Sequence, residues 1–405
     1  MKFLLIALYG LVIPYIGLLL LIIAGLLRPE RKTKNRDTPS VSVIIPAHNE
    51  EVNLSATLAS LAQQTYPGVA EFVIVDDRSS DATERIIRSF AKLDERFKLI
   101  KVVSTSRRFS PKVHAVQVGI ANSSGEIIIT SDADCRYPRG WIHGLVSYFE
   151  SDVVMVLGYV ESTRAYRCKN WLERFESSDW LSLMLTSKAL TQLGWKFASS
   201  ANNQAYRRNA FNAVGGFGAD GRAPSGDEDL FAQRLGRLKS KRILFATTPE
   251  TRVLTQPMPT LKALLQQRRR WVSRYQYVLH YHPAFFLGIS VLGFQSMILS
   301  ISVILSLFHP PLRWWVFSLW GVKFAVELLG MAIGTKLLQR RDLWGLPAIF
   351  WALLHPFFIA IVSIWSLIKS NERRAETIDY RRRYFIRQLR ELRRKVKGLF
   401  QELYS

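Results

Sequence analysis

Residues 41–84 read VSVIIPAHNEEVNLSATLASLAQQTYPGVAEFVIVDDRSSDATE, and this stretch decides the fold class. Two short apolar runs, 41–46 and 71–75, are rich in β-branched residues and are typical of buried strands. Apolar residues at helical spacing follow the first run between residues 49 and 62. The segment SSDATERIIRSFAK follows the second run and has the polar start of a capped helix. The stretch therefore predicts strand, helix, strand, helix.

The same alternation continues along the chain with a strand over 99–103, a helix over 111–121 and a strand over 126–131. Strands that alternate with helices predict an α/β fold, with a parallel sheet covered by helices on both faces. In such sheets ligands bind in the crevice outside the carboxyl ends of the strands. The residues that follow each strand are therefore the first candidates for function.

Polar side chains follow three of these strands, in segments 46–50, 76–77 and 132–134, and we expect them to converge beside Lys112. Several carboxylates at one rim require a cation or hydrogen-bond donors to offset their repulsion. Two of them, Asp132 and Asp134, are two residues apart and face the same side of an extended chain. Such a pair can hold a hard divalent cation such as Mg²⁺.

Four apolar segments are long enough to cross a bilayer: 3–27, 285–307, 313–334 and 343–368. Basic residues follow the first segment directly, which predicts that this end lies on the cytoplasmic side. The predicted division of the chain is a transmembrane helix over 1–27, a basic linker over 28–40, a catalytic domain over 41–284, membrane helices over 285–368 and a basic amphipathic tail over 369–405.

The chain has 55 Lys and Arg against 32 Asp and Glu, a net charge of +23. Much of the excess flanks the membrane segments and no aromatic-rich binding motif accompanies it, so we expect no nucleic-acid partner. The tail over 369–405 repeats apolar residues at helical spacing among its arginines. It is either an amphipathic helix on anionic lipid headgroups or a solvated charged helix.

The topology contains a conflict, because three spans after a cytoplasmic domain would leave the basic tail outside, where the positive-inside tendency disfavours it. One segment is then expected to lie in the interface or to re-enter. The candidates are the segment over 313–334, with Lys323 and Glu327 four apart, and the segment over 343–368, broken at His355-Pro356.

Residues 41–84 resemble the start of an inverting nucleotide-sugar glycosyltransferase of family 2 with the GT-A fold, whose nucleotide-binding domain is Rossmann-like. The flanking membrane segments resemble polysaccharide synthases and ceramide-glucosyltransferase-like, glycolipid-forming members of that family. The motifs that carry the resemblance follow in the expected order: Lys112 with Ala115 and Gly119, SDAD at 131–134, NNQAYRRNAFNAVGGF at 202–217, SGDEDL at 225–230 and QRRRW at 267–271.

The resemblance implies a role for each matching residue. Asp134, with Asp132 nearby, would hold Mg²⁺ or Mn²⁺. The catalytic base would be Asp227, with Glu228 as the second choice and Asp229 in the same run. The residues that would contact the nucleotide sugar or its acceptor channel are Ala47, Glu50, Asp76, Asp77, Lys112, Asp132, Ala133, Gln267, Arg270 and Trp271.

These observations lead to an expected function. The chain would be a metal-dependent hexosyltransferase in a bacterial inner membrane, with its catalytic domain in the cytoplasm. It would move a sugar from a nucleotide sugar, expected to be a UDP-sugar, to a lipid or glycan acceptor, with a lipid or lipid-linked acceptor favoured. The alternatives are a processive polysaccharide synthase of the same family and a catalytically inactive membrane scaffold that binds sugar nucleotide.

Overall fold

A computed structural model describes the greater part of the chain, in helices α1–α12 and strands β1–β9. The described residues are 2–29, 35–104, 106, 109–163, 168–195, 202–217, 227–272 and 283–366. The strands are β1 (Val41–Ala47), β2 (Ala70–Asp77), β3 (Phe97–Val102), β4 (Ile127–Thr130), β5 (Val153–Gly158), β6 (Val160–Ser162), β7 (Gln204–Arg207), β8 (Arg242–Ala246) and β9 (Val253–Thr255). The helices are α1 (Lys2–Leu26), α2 (Leu54–Ala62), α3 (Thr83–Leu93), α4 (Pro111–Ala121), α5 (Trp141–Val146), α6 (Trp171–Gln192), α7 (Arg208–Ala213), α8 (Asp227–Leu235), α9 (Leu261–Val272), α10 (Pro283–Phe308), α11 (Pro310–Leu337) and α12 (Leu346–Ser366).

Seven strands form the main sheet in the order β3-β2-β1-β4-β7-β5-β8. The first four are parallel, as the alternation of strands and helices predicts. Strand β7 pairs antiparallel with both β4 and β5 and makes the sheet mixed. A separate parallel pair, β6 with β9, lies beside it. The α/β prediction is confirmed, and the antiparallel insertion is an addition to it.

Most predicted boundaries lie within a few residues of those in the structure, but the helix that follows β1 starts later than expected. We predicted it from residue 49, and α2 begins at Leu54. The reason is local, because Asn49 has a positive φ of 55° and cannot continue a right-handed helix. Its backbone N–H instead donates to Ser79 Oγ at 3.1 Å, so residues 48–53 form a loop that faces β2.

Three helices are long and apolar enough to cross a membrane: 290–308 within α10, α11 and α12. Within α1, residues 12–26 form a shorter apolar stretch. The predicted pair on α11 forms, with Lys323 Nζ 2.5 Å from Glu327 Oε2, and Tyr15 of α1 donates to the other oxygen at 2.7 Å. The predicted basic tail over 369–405 lies outside the described residues, and its role stays a prediction.

The long apolar helices pack directly on the α/β domain. A methyl group added at Gly25 of α1 would lie 2.7 Å from the carbonyl oxygen of Ala189 on α6. A methyl group at Gly334 of α11 would meet Leu185, also on α6. Helix α6 is therefore the element of the domain against which α1 and α11 are seated.

A buried ionic contact, which we call the clasp, joins the turn after α11 to β6. Arg340 Nη1 lies 2.6 Å from Glu161 Oε1, and both side chains are almost wholly inaccessible to solvent. The N–H direction does not point at the oxygen, so the contact is an ion pair rather than an aligned hydrogen bond. Arg252 adds a second cation, 3.6 Å from the other Glu161 oxygen, and also donates to the Leu338 carbonyl at 2.6 Å.

Candidate functional site

The carboxyl ends of β1, β2 and β4 lie side by side, as the parallel order requires. Ala47 pairs in register with Asp76, so the loops that leave the two strands are neighbours. His48 Nδ1 lies 2.7 Å from the carbonyl oxygen of Asp77. The N–H of Glu50 donates to Thr83 Oγ1 at 2.8 Å, at the start of α3. The segments that follow β1 and β2 therefore lie together, as predicted.

Asp76 and Asp77 are both buried at the end of β2. Asp76 Oδ1 accepts the N–H of Ser79 at 3.1 Å and closes the turn that follows the strand. Asp77 Oδ1 accepts from Arg78 Nε at 2.8 Å. Arg78 has a positive φ of 60°, a backbone conformation that a residue other than glycine adopts at some cost in free energy. The turn is thus held in one conformation by its own side chains.

The segment Asp132-Ala133-Asp134 follows β4 as a turn that three other elements support. Lys112 Nζ, from the first turn of α4, lies 2.7 Å from Asp132 Oδ1. Thr57 of α2 donates to the carbonyl oxygen of Ala133 at 2.7 Å. Thr255 of β9 donates to Asp134 Oδ2 at 3.3 Å. The structure therefore brings Lys112 and both predicted metal carboxylates to one place.

The electrostatics of this turn favour a cation. Burial raises the pKa of Asp134, and the charge of Asp132 raises it further. Burial also raises the pKa of Glu50; a hydrogen bond from Asn53 opposes this, and the charges of Asp134 and Asp132 add to it. The carboxyl groups of Glu50, Asp132 and Asp134 therefore repel one another at a partly buried rim, and a positive ion would stabilise the ionised form of each.

The donor set fits Mg²⁺ or Mn²⁺, which take oxygen ligands and are typically held by one or two carboxylates together with substrate phosphates. Among the residues that the structure describes, no three His, Cys, Asp or Glu side chains lie close enough together to form a complete metal cage. A two-carboxylate site that leaves positions for phosphate oxygens is consistent with both facts.

Of the predicted residues of α9, Trp271 faces α6. Trp271 meets Trp180 of α6 edge-on, with ring centroids 5.4 Å apart. Gln267 Oε1 accepts a hydrogen bond from Arg268. Arg270 is exposed on the same helix. These residues lie at the seam between the domain and the membrane helices.

The predicted catalytic carboxylates begin α8, whose first residues are Asp227, Glu228 and Asp229. Their side chains lie outside what the structure describes, so the assignment of the base stays a prediction. A helix N-terminus carries a partial positive charge and favours ionised carboxylates, which suits an acidic run at this point.

Two residues in this region escaped the sequence analysis. Thr255 lies in a three-residue strand and reaches Asp134 from far along the chain, and no local pattern marks it. Arg268 is buried, and a signal for it exists: it stands four residues after the buried Leu264, on the inner stripe of α9. An arginine on an apolar stripe indicates a buried acidic partner.

The fold is similar to that of a solved mannosyltransferase, PcManGT from Pyrobaculum calidifontis, determined in complex with GDP-Man and Mn²⁺. The TM-score is 0.57 at 19% identity, and the match covers 90% of this chain and 99% of that one. The mixed sheet, its order and this likeness define a GT-A domain.

Residues 42–215 match the model of Glycosyl transferase family 2, and the chain therefore carries a glycosyltransferase domain of that family. A probable glycosyltransferase of Bacillus subtilis, YdaM, is 29% identical over 62% of this chain and 59% of its own length. A beta-monoglucosyldiacylglycerol synthase of Trichormus variabilis is 26% identical over 63% of this chain and 53% of its own length. The chain thus aligns with less than two thirds of either relative.

Proposed function

We propose that the chain is a membrane-bound inverting glycosyltransferase that moves a sugar from a UDP-sugar to a lipid or lipid-linked acceptor. The observation that carries the proposal is the meeting of Lys112, Asp132 and Asp134 at the carboxyl edge of the sheet in a family 2 domain. The direct seating of apolar helices on that domain, and the glycolipid product in the name of one relative, support a lipid acceptor.

In the proposed site, Asp134 and Asp132 would hold Mg²⁺ or Mn²⁺, which would neutralise charge on the leaving diphosphate when bound. Lys112, through its contact with Asp132, adds a fixed positive charge at the same rim. Asp76, Asp77, Ala47, Glu50 and Ala133 would form the walls around the nucleotide, because their loops surround that rim.

Transfer with inversion requires a carboxylate that takes the proton of the acceptor hydroxyl. We assign this role to Asp227 at the start of α8, with Glu228 as the alternative. Gln267, Arg270 and Trp271 would border the acceptor, where Arg270 can pair with phosphate and Trp271 can stack on a sugar ring. The domain would face the cytoplasm from a bacterial inner membrane, with residues 41–284 as the catalytic unit.

The test uses membranes that contain the full chain, a panel of UDP- and GDP-sugars with a labelled sugar, and Mn²⁺ or Mg²⁺ followed by chelator. We measure the released nucleoside diphosphate and the label in the lipid extract. The variants are Asp134→Asn and Asp227→Asn. The matched control is Glu95→Gln, because Glu95 is an exposed carboxylate of the same domain.

We expect chelator-sensitive label in the organic phase, reduced about a hundredfold or more in both site variants and unchanged in the control. Label in an aqueous polymer fraction would show that the acceptor is a growing polysaccharide and not a lipid. Nucleotide binding without turnover from any donor would refute transfer and favour an inactive scaffold. Full activity in Asp134→Asn would refute the proposed metal site.

A further inference from the structure

Arg268 lies within the Gln267–Trp271 segment, but its side chain turns inward and is 5% exposed. Its Nε donates to Asp179 Oδ2 at 2.8 Å, and its Nη2 lies 2.7 Å from the same oxygen. Its Nη1 donates to Gln267 Oε1. Its guanidinium carbon stands 4.2 Å from the centre of the Trp271 ring. One buried cation therefore contacts two of the three residues that the proposed function places at the acceptor, Gln267 and Trp271.

Asp179, the partner of that cation, comes from α6 and is 3% exposed. Its second oxygen, Oδ1, lies 3.7 Å from His355 Nε2 on α12. Three helices therefore meet at one carboxylate, and α6 is the helix that also seats α1 and α11. A separate contact, Arg269 over the ring of Trp365 at 4.5 Å, joins α9 to α12 a second time.

The physical consequence follows from burial. A guanidinium shielded from water is strongly destabilised when the carboxylate that it pairs with is neutralised. Arg268 would then move to find water or another acceptor, and the hydrogen bond to Gln267 and the stacking on Trp271 would move with it. Small displacements of groups that orient a reactant cost large factors in rate.

We propose that Asp179 is a positioning residue for the acceptor side of the reaction. Through Arg268 it holds Gln267 and Trp271 in place, and it stands 3.7 Å from His355 of the membrane helix α12. The inference rests on the proposed function for the roles of Gln267 and Trp271. The junction of α6, α9 and α12 is thereby part of how the acceptor is presented, as well as part of the packing.

The test compares Asp179→Asn, which keeps the shape and removes the charge, with Asp179→Glu, which keeps the charge. The matched control is Glu173→Gln, because Glu173 is a buried carboxylate of the same helix that accepts the Lys169 N–H at 2.6 Å. The full chain in membranes receives labelled UDP-glucose or UDP-N-acetylglucosamine with Mn²⁺ and vesicles of total bacterial lipid. Released UDP and lipid-bound label are measured separately.

We expect Asp179→Asn to lower the label transferred to lipid about tenfold to a hundredfold, while the KM for the donor stays within about twofold. The ratio of released UDP to transferred sugar would rise, because water replaces a badly placed acceptor. Asp179→Glu would restore part of the transfer, and Glu173→Gln would leave the ratio unchanged. An unchanged ratio in Asp179→Asn, or an equal rise in the control, would overturn the proposal.

A second measurement keeps the inference testable if no donor is turned over, which would count against the proposed function alone. Amide hydrogen exchange is followed across α9 in the full chain in detergent. Faster exchange of 261–272 in Asp179→Asn, and not in Glu173→Gln, would support the positioning role. Exchange in α9 that is unaffected by Asp179→Asn would overturn it.

Discussion

Asp134 depends on a neighbour that comes from the far end of the domain. Thr255 donates to its Oδ2, and removal of this hydrogen bond should leave the carboxylate less well oriented. We expect Thr255→Val, which keeps the side-chain shape, to weaken Mn²⁺-dependent UDP binding about fivefold to tenfold. Mn²⁺ titration of UDP binding by calorimetry measures this, and Thr255→Ser, which keeps the hydroxyl, should bind as the wild type does. Equal affinity in Thr255→Val would show that the contact does not orient Asp134.

Glu71 governs an acid-sensitive contribution to stability at the base of the sheet. Burial alone would raise the pKa of Glu71, but hydrogen bonds from Lys98, the Ser124 N–H and Ser42 outweigh it and lower the pKa from 4.5 to about 2. The folded state therefore keeps Glu71 ionised at pH values where the unfolded chain takes up a proton. The resulting stability is complete above about pH 4.5 and is lost as the pH falls toward about 2.

We therefore expect Glu71→Gln to lower the stability of the domain by about 1–2 kcal/mol near neutral pH, after allowance for screening by solvent. The difference between variant and wild type should shrink steadily as the pH falls below about 4.5. Thermal unfolding of the full chain in detergent, followed by intrinsic fluorescence at several pH values, measures it. Glu95→Gln serves as the exposed control, and a difference that does not depend on pH would contradict the assignment.

At the scale of elements, helix α4 packs closely on the sheet because Gly119 has no side chain at the point of contact. A methyl group at this position would lie 2.5 Å from Ile44 Cγ2 and 2.9 Å from Val75 Cγ2, so α4 or the strands would have to move. We expect Gly119→Ala to cost a net 1–2 kcal/mol, about the overpacking strain less the gain in helix propensity. Because α4 carries Lys112, donor affinity should fall as well.

The comparison for this prediction is Gly321→Ala in α11, where an added methyl group meets no atom within 4 Å. Unfolding temperature and UDP binding are measured for both variants. A loss in Gly119→Ala that Gly321→Ala shares would point to a general effect of the substitution and not to the packing of α4 on β1 and β2.

The first four strands and α4 were predictable because each carries its own pattern: apolar β-branched runs for the strands and a proline at the start of α4. Strand β7 was not, because Gln204–Arg207 has no strand pattern of its own and is held between β4 and β5 by tertiary pairing. The rule that ligands bind at the carboxyl ends of parallel strands predicted that Asp77, Asp132 and Lys112 lie together. It had no means of placing Asp179, whose partners are two helices that pack from elsewhere in the chain.

For the whole molecule, the clasp is one of the contacts that hold the apolar helices on the domain. Loss of one member of a buried ion pair leaves an uncompensated charge and costs about 3–5 kcal/mol, whereas replacement of both members by uncharged groups costs far less. We expect Arg340→Met to be destabilised, because Arg252 at 3.6 Å offsets the charge of Glu161 only in part, and Glu161→Gln/Arg340→Met to recover part of that loss. Thermal unfolding of the full chain in detergent checks this, and strictly additive losses would show that the two charges are not coupled.

The same contact bears on the topology that the sequence left in conflict. Because Arg340 reaches Glu161, the turn between α11 and α12 lies on the same side of any bilayer as the catalytic domain. Helix α12 then continues along α6, with Phe350 5.3 Å from Trp171 and Phe358 5.2 Å from Phe175 by ring centroids. Positive-inside counting weighs charges near apolar segments, and it carries no information about such packing between helices.

The clasp also has a consequence for synthesis. Glu161 is made with the core of the domain, whereas Arg340 leaves the ribosome only after α10 and α11 have been translated. Until then Arg252, 3.6 Å away, offsets the charge of the Glu161 carboxyl only in part, and burial raises the pKa of that carboxyl. We therefore expect the pair β6–β9, which carries both Glu161 and Thr255, to close late. The contact of Arg340 with Glu161 and the hydrogen bond from Thr255 to Asp134 would then be completed together.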